Sequence, residues 1–151
     1  MTKTIPAGIE CPFCISEGGD LLHQDALCRV VLLTGDEGGY FPGFCRVVWN
    51  RHVSEMSDLA VAEQRHFLDV VLATERAIRA VQRPDKMNLA SLGNVVPHLH
   101  WHVIPRWNDD SHFPAPIWAV GQRAGTMRPV ANKAALAAAI SEALKARGVA
   151  Q

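Results

Sequence analysis

Two short apolar runs in the first third of the chain predict two buried strands. Residues 28–34 and residues 44–50 each contain three or four consecutive large apolar side chains. Runs of this length, bounded by glycine and proline, are typical of well-buried strands. The glycine-rich segment 35–39 and the Pro-Gly pair at 42–43 predict the turns between them. A third strand is predicted at 86–92.

Apolar residues at helical spacing follow the second predicted strand. Ser57 and Asp58 can cap a long helix that begins there and runs to about Arg83, where Pro84 ends it. The alanine-rich segment 131–147 predicts a final helix. The chain therefore alternates strands, a helix, further strands and a C-terminal helix.

The remaining segments lack a regular period. Residues 1–10 predict an irregular lead-in, residues 11–14 a tight turn, and residues 107–130 an extended, loop-rich arm. Neighbouring strands with short connections favour antiparallel pairing, and helices segregated from the strands favour an α+β fold. A chain of 151 residues with no repeat and no linker is predicted to form one domain.

A fourth strand, predicted at 97–106, carries histidine at alternate positions, namely His98, His100 and His102. Strand side chains alternate between the faces of a sheet, so these imidazoles are expected on one face and the apolar residues between them on the other. Metal binding, nucleophilic or acid–base catalysis, and anion binding by protonated rings can all use such a row. An ordinary half-exposed strand has little use for it.

Charge and composition narrow the expected partners and location. Fifteen basic residues balance fifteen acidic ones, which argues against broad binding of nucleic acid and leaves little self-repulsion against self-association. No apolar run approaches the ~18 residues of a membrane span, and the N-terminus lacks the apolar core of a signal peptide. We therefore expect a cytoplasmic protein with no nucleic-acid or membrane partner.

The four cysteines do not suggest a disulfide framework in a chain of this size. Cys11 and Cys14 form a close pair, which indicates metal binding or redox chemistry. Cys28 and Cys45 lie in apolar stretches and are expected to be small buried hydrophobes. Outside the row, His23 and His66 are expected at the surface. His112 is expected in a solvated loop, with an active site of its own or a partner subunit as the alternative.

Aromatic residues of the arm have two possible roles, stacking on a base or covering the core, and the second is the commoner. These residues are Trp107, Phe113 and Trp118.

The segment 98–104, His-Leu-His-Trp-His-Val-Ile, resembles the signature of the histidine triad (HIT) family, in which three histidines alternate with apolar residues and two apolar residues follow. The likeness covers about residues 8–106 and leaves 107–151 as a C-terminal arm and helix. Further positions that resemble family features are Asn88, Gly93, Asn94, the Pro-Gly pair at 42–43, and residues 50–53 and 104–106.

The resemblance implies an α+β HIT-like domain, with an antiparallel sheet, one long helix after the second strand and a C-terminal helix. It also implies a nucleotide hydrolase or nucleotidyl transferase that attacks the α-phosphate through a covalent nucleotidyl-histidine. Dinucleoside polyphosphates, such as diadenosine tetraphosphate, are the implied substrate class. No cofactor is implied for the chemistry itself, and a homodimer is the implied assembly.

Site roles follow from the same resemblance. His100 is the implied nucleophile, since imidazole is largely neutral and nucleophilic near pH 7. His102 would hydrogen-bond a phosphate oxygen or assist proton transfer, and His98 would orient its neighbours or bind a metal.

The implied substrate-binding residues lie on both sides of the row in sequence. Gly93 and Asn94 would bring backbone and amide donors close to the phosphate. Asn88 belongs to the same implied set, and Asp36 would fall near the ribose by its spacing.

This chain departs from the family pattern at two positions. Phe44 stands where many members have a histidine after the Pro-Gly pair, and Val95 stands where many hydrolases have serine or threonine. Groups that relay a proton or assist the leaving group are thereby missing. The departures motivate an alternative function, a nucleotide-binding or sensor protein with little turnover.

A zinc site is also implied by resemblance to some HIT branches and to galactose-1-phosphate uridylyltransferases. Its ligands here would be Cys11, Cys14, His52 and His98, a set typical of closed structural sites. A different interpretation makes all three histidines of the row ligands of a catalytic metal.

Overall fold

The computed structural model describes residues 10–149, which form an α+β fold on a five-stranded antiparallel sheet. The strands, in the sheet order β1-β2-β3-β5-β4, are β1 (Asp20–Gln24), β2 (Cys28–Leu32), β3 (Cys45–Trp49), β5 (His100–Arg106) and β4 (Lys86–Ala90). The helices are α1 (Pro12–Ile15), α2 (Gly35–Tyr40), α3 (Val61–Gln82) and α4 (Lys133–Ala146). The predicted fold class, long helix and C-terminal helix are confirmed.

The apolar pattern misses β1, because this strand lies at the edge of the sheet and is only partly buried. It forms a hairpin with β2, and three of its five residues are exposed. The strand predicted second is therefore the third strand of the sheet, and α3 follows it as predicted. The other predicted strands are confirmed with shorter bounds.

Two segments predicted as turns are short helices. The glycine-rich segment 35–39 belongs to α2. Asp36 and Glu37 occupy its first turn, where their negative charges interact favourably with the positive end of the helix dipole. Its end is anchored by Phe41, which is 4% exposed. The segment 11–14 is largely α1, which Pro12 begins with a backbone angle already suited to a helix.

The prediction that Ser57 and Asp58 cap the long helix is wrong. Both residues lie in a separate 3-10 turn, and α3 begins three residues later. Leu59 is 4% exposed and keeps an extended backbone as its side chain enters the core. The backbone N–H of Ala60 donates to the carboxylate of Glu63 at 2.9 Å instead, which satisfies a free donor at the helix start.

The two faces of the sheet carry different side chains, as alternation requires. One face packs against α3 and α4 in the main core, which confirms Cys28 and Cys45 as buried hydrophobes. We call the other face the histidine face. Its residues on the three central strands include Val31, Arg46, Val48, His100 and His102.

The arm at 107–130 has no helix or strand, as predicted, but a buried ion pair holds its start. Arg106 donates to Asp110 through Nε at 2.8 Å and through Nη2 at 2.9 Å. Their side chains are 2% and 1% exposed. Asp110 also accepts backbone N–H groups of Trp107, His112 and Phe113, so one carboxylate fixes the first turn of the arm.

No helix within residues 10–149 combines the length and apolarity needed to cross a membrane. The predicted lead-in at 1–10 lies outside the described residues except for residue 10, and so does the predicted start of the core at residue 8.

Candidate functional site

The histidine row is buried and lies at the start of β5. His98 is 0% exposed, and His100 and His102 are each 6% exposed. The strand begins at His100 rather than at 97, so His98 lies two residues before it. The ring of Phe13 contacts both neighbouring imidazoles, with centroids 5.8 Å from His98 and 4.8 Å from His100. This burial contradicts the interpretation of the segment as an ordinary half-exposed strand that happens to be rich in histidine.

His98 faces a cluster of potential metal ligands. Its Nε2 lies 2.6 Å from the carbonyl oxygen of Trp49, which assigns the proton to Nε2 and the lone pair to Nδ1. That Nδ1 lies 3.4 Å from Sγ of Cys11, 3.5 Å from Sγ of Cys14 and 3.2 Å from Nδ1 of His52. The four ligand atoms all lie within 4.8 Å of one another.

Four of the six distances between these atoms, 3.2–3.5 Å, fit a tetrahedral zinc ion. Zn–N bonds of about 2.0 Å and Zn–S bonds of about 2.3 Å place neighbouring ligand atoms about 3.3–3.8 Å apart. Helix α1 brings Cys11 and Cys14 to the same point, and Sγ of Cys14 lies 3.5 Å from Nδ1 of His52. Burial lowers the pKa of His98, which favours the neutral ligand form. Burial and Cys11 raise the pKa of the Cys14 thiol, an effect that a divalent cation would reverse.

The backbone of His98 orients the next histidine of the row. Nδ1 of His100 lies 2.6 Å from the carbonyl oxygen of His98, so Nδ1 carries the proton and donates it. The lone pair is therefore on Nε2. Burial, followed by the charge of Arg46, lowers the pKa of His100 and keeps the ring neutral near pH 7. A neutral imidazole held in one tautomer is suited to nucleophilic attack.

His102 lies beside this ring, with centroids 4.9 Å apart. Its ring also contacts Phe44 at 5.8 Å and Trp118 at 4.9 Å. Nδ1 of His102 is buried and has no hydrogen-bond partner among residues 10–149. Burial, then His100 and Arg46, lowers the pKa of His102 to about 3. A neutral ring with a free nitrogen can hydrogen-bond a bound oxygen.

A cavity of about 590 Å³ opens over these two rings, within the usual size range of ligand pockets. Gly93 and Asn94 line it, and the positive φ of Gly93, 77°, suits a residue without a side chain. The complete lining consists of Pro12, Phe13, Ser16, Gly18, Glu37, Arg46, Leu92, Gly93, Asn94, Val95, Val96, His100, His102 and Trp118.

Two predicted substrate-binding residues do not line this cavity. Asp36 is exposed on α2, and its neighbour Glu37 lines the cavity instead. Asn88 accepts a hydrogen bond of 2.8 Å from Nη1 of Arg106 and lines an adjacent cavity of about 590 Å³. Trp118 is the residue of the arm that lines both cavities.

The sequence interpretation overlooked Arg46 as a site residue. It sits inside an apolar run, and only its strand position, opposite His102, places it on the histidine face. A charged residue that interrupts a buried strand was the available signal.

His23 and His66 are less exposed than the surface positions predicted for them. Both are partly buried, with Nε2 atoms 3.4 Å and 2.8 Å from Oδ2 of Asp25. Asp25, Cys28 and His66 lie close enough to hold a metal ion. The hydrogen bonds to Asp25, which include backbone N–H groups of Leu27 and Cys28, already account for the cluster as a tie between the β1–β2 turn and α3. The third of these histidines, His112, is partly buried against Phe41.

This chain is similar to known proteins in its sequence, in its fold and in its match to a family model. A relative from Mycobacterium tuberculosis, described as an AP-4-A phosphorylase, is 36% identical over 80 residues, which cover 49% of this chain. The chain spans only 41% of that relative's length. A solved histidine triad protein from Sinorhizobium meliloti is 26% identical with a TM-score of 0.66, covering 85% of this chain and 91% of its own.

A second solved structure, described as a Zn-bound histidine triad family protein from Mycobacterium smegmatis, shares the fold with 20% identity and a TM-score of 0.59. This likeness covers 92% of this chain and 96% of that protein. The family model of the HIT domain matches residues 21–109, which is more than half of the chain and includes the whole histidine row. The chain therefore belongs to the HIT family.

Proposed function

We propose that this protein is a nucleotide hydrolase or nucleotidyl transferase with His100 as its nucleophile. The observation that carries the proposal is the 2.6 Å hydrogen bond from Nδ1 of His100 to the carbonyl oxygen of His98, which directs the lone pair to Nε2 beneath a cavity. The partial likeness to a protein described as AP-4-A phosphorylase supports a nucleotide as substrate.

In the first step, Nε2 of His100 forms a bond to the α-phosphorus of the nucleotide. The bond from this phosphorus to the leaving oxygen breaks, and the leaving phosphate chain departs with the electron pair. Positive charge then develops on the imidazole, and the carbonyl oxygen of His98 stabilises it through the hydrogen bond from Nδ1. His102 and the donors of Gly93 and Asn94 would bind the oxygens of the transferred phosphoryl group.

In the second step, an oxygen nucleophile forms a bond to the same phosphorus and the bond to His100 breaks. Water as acceptor releases a nucleoside monophosphate and a proton. Inorganic phosphate as acceptor releases a nucleoside diphosphate. The chemistry of the two acceptors is therefore distinguished by the product, with the same covalent intermediate in both reactions.

Dinucleoside polyphosphates are the substrate class we propose. A polyphosphate leaves as a stable anion, whereas an amine requires a proton as it leaves. Phe44 and Val95, the two departures from the family pattern, have side chains that cannot donate a proton. Nδ1 of His102 has no hydrogen-bond partner among the described residues that could relay one. Leaving groups that need no proton are accordingly favoured.

The protein is expected to release nucleoside monophosphate from dinucleoside polyphosphates faster than from nucleoside phosphoramidates. Product formation is measured by chromatography over a panel of both classes, with and without inorganic phosphate. A diphosphate product that appears only with phosphate would indicate a phosphorylase. Absence of any product would contradict the enzyme proposal.

A nucleotide-binding protein with little turnover is the second candidate. Phe44 favours it, because an aromatic ring packs 5.8 Å from His102 and cannot exchange a proton with it. In that case the panel would show binding by calorimetry without monophosphate release, and binding would survive His100→Ala.

We further propose that Cys11, Cys14, His52 and His98 hold one structural zinc ion. The ion would fasten α1, and with it Phe13, against the residue that orients His100. The ion takes no part in the bond-making steps proposed above.

Protein purified without chelators is expected to contain one zinc per chain, and Cys14→Ser is expected to lose it. Binding to the folded state alone stabilises by about 2.7 kcal/mol at a ligand concentration 100 times the Kd, so chelation should lower Tm and added zinc should restore it. Elemental analysis and thermal unfolding make the measurement. Cys45→Ala, which alters a buried thiol outside the cluster, is the matched control and should retain zinc. Metal-free wild type with unchanged Tm would refute the site, and more than one zinc per chain with chelation-sensitive turnover would favour a catalytic metal.

A further inference from the structure

Arg46 places a permanent positive charge on the histidine face. In the register of β3 and β5, Arg46 lies directly opposite His102, and Val48 lies opposite His100. Residues paired in this way have Cβ atoms about 5 Å apart and project from the same face. The side chain of Arg46 accordingly lines the cavity with both histidines.

The guanidinium is positioned but only partly hydrogen-bonded. Its central carbon lies 5.9 Å from the ring centroids of both Phe13 and Phe44, near the outer limit for a cation–π contact. Nη2 donates to Oε2 of Glu37 at 3.1 Å. Nε is buried and has no partner within residues 10–149. A guanidinium offers five donors, so several remain for a bound anion.

Glu37 occupies the place that an anionic ligand would take. Its side chain is 54% exposed, and an ion pair with such a partner contributes little, so the pair exchanges readily. The other titratable groups of the lining are His100 and His102. Among the described residues that line the cavity, Arg46 is the only arginine or lysine, and so the only one with a permanent positive charge.

We propose that Arg46 binds the phosphate chain of the substrate beyond the α-phosphate and displaces Glu37 when it does so. Guanidinium and phosphate form bidentate, charge-assisted hydrogen bonds that an extended anion strengthens. Arg46 then acts as a specificity residue that selects polyphosphate substrates over those with a single phosphoryl group. This inference rests on the proposed function, because it assumes that the α-phosphorus lies over His100.

The test compares substrates that differ in the number of phosphates. For Arg46→Met, the ratio of kcat/KM between a dinucleoside tetraphosphate and a nucleoside phosphoramidate is expected to fall roughly 10- to 100-fold relative to wild type. Arg46→Lys should retain part of the preference, because it keeps the charge without the bidentate geometry. Glu37→Gln should raise the ratio, because it removes the competing carboxylate.

Arg76→Met is the matched control, since Arg76 is exposed on α3, the helix that packs on the opposite side of the sheet. It should leave the ratio unchanged. Inorganic tripolyphosphate should inhibit wild type and lose roughly 10- to 100-fold in potency against Arg46→Met. A uniform loss across the substrate series, with unchanged inhibition by tripolyphosphate, would overturn the inference and leave the proposed function standing.

If wild type turns over no nucleotide, the proposed function fails and binding decides the role of Arg46. Calorimetry with AMP and ATP then measures the preference for a longer phosphate chain. A preference for ATP that Arg46→Met removes and Arg76→Met preserves supports the anion subsite. Equal affinities for AMP and ATP in wild type refute it. Where Arg46→Met does not fold, Arg46→Lys and Glu37→Gln carry the same comparison in opposite directions.

Discussion

His100→Ala is expected to reduce nucleotide turnover by about 10⁴-fold or more, because removal of a covalent nucleophile costs an enzyme on that order. Alanine leaves no nitrogen at the cavity floor and removes the hydrogen bond to the carbonyl oxygen of His98. The variant should keep its nucleotide affinity, since the other residues around the cavity remain. Initial rates of monophosphate release measure the loss.

Intact-mass analysis of rapidly quenched wild type should reveal a nucleotidyl adduct that His100→Ala lacks. His112→Ala is the matched control, because His112 lies in the arm and does not line the cavity. Its rate should stay within a few-fold of wild type. Turnover by His100→Ala at more than a tenth of the wild-type rate would show that His100 is not the nucleophile.

Asp110→Asn is expected to lower the free energy of unfolding by about 3–5 kcal/mol, because it leaves the charge of Arg106 buried without its partner. Only 2% of the Arg106 side chain and 1% of the Asp110 side chain are exposed, so water cannot compensate the lost carboxylate. Three backbone N–H groups of the arm lose a charged acceptor as well. Urea unfolding at pH 7 measures the change.

Asp109→Asn is the control for this effect. Asp109 pairs with Arg128 at the surface and is 52% exposed, so its loss should lower the free energy of unfolding far less than the loss of Asp110 does. Equal losses for the two variants would contradict the assignment of Arg106 and Asp110 as a buried lock on the arm.

Because of Asp110, the free energy of unfolding of the wild type should also decrease as the pH is lowered. Burial opposes ionisation, but hydrogen bonds from Arg106 and from backbone N–H groups prevail and lower the pKa of Asp110 to about 2. A carboxyl group whose pKa is lower in the folded state than its unfolded value of about 3.9 stabilises the folded state at pH values above that unfolded pKa. Its contribution is lost as pH falls from about 4 to about 2, and Asp110→Asn should lack this component.

The sequence predicts those parts of the structure that depend on residues close together in the chain. Alternation along 97–106 indicates which side chains share a face, and the structure confirms apolar residues Leu99 and Val103 in the main core. Helical spacing predicts α3, but the predicted caps are wrong, because Ser57 and Asp58 belong to a separate 3-10 turn. Periodicity describes an element well and its ends poorly, because the ends depend on caps and on distant packing.

The chemistry of the site depends on contacts between distant parts of the chain. Cys11 and His98 are 87 positions apart, and the ligand spacing that suits zinc arises only when α1 packs against the sheet. In the sequence, Arg46 is only a charged residue within an apolar strand. The register of β3 and β5 places it opposite His102, on the histidine face. The segment 35–39 is a helix instead of a turn, and in that helix Glu37 lines the cavity while Asp36 does not.

The amino-acid sequence by itself determined the α+β architecture and the histidine row, because local periodicity and residue type encode them, and its resemblance to the HIT family implied the four candidate zinc ligands. The tertiary structure alone decided the tautomer of His100, the charge that lines the cavity and the buried pair that holds the arm. Each of these depends on hydrogen bonds and burial between segments far apart in the chain, and only the folded packing brings those segments together.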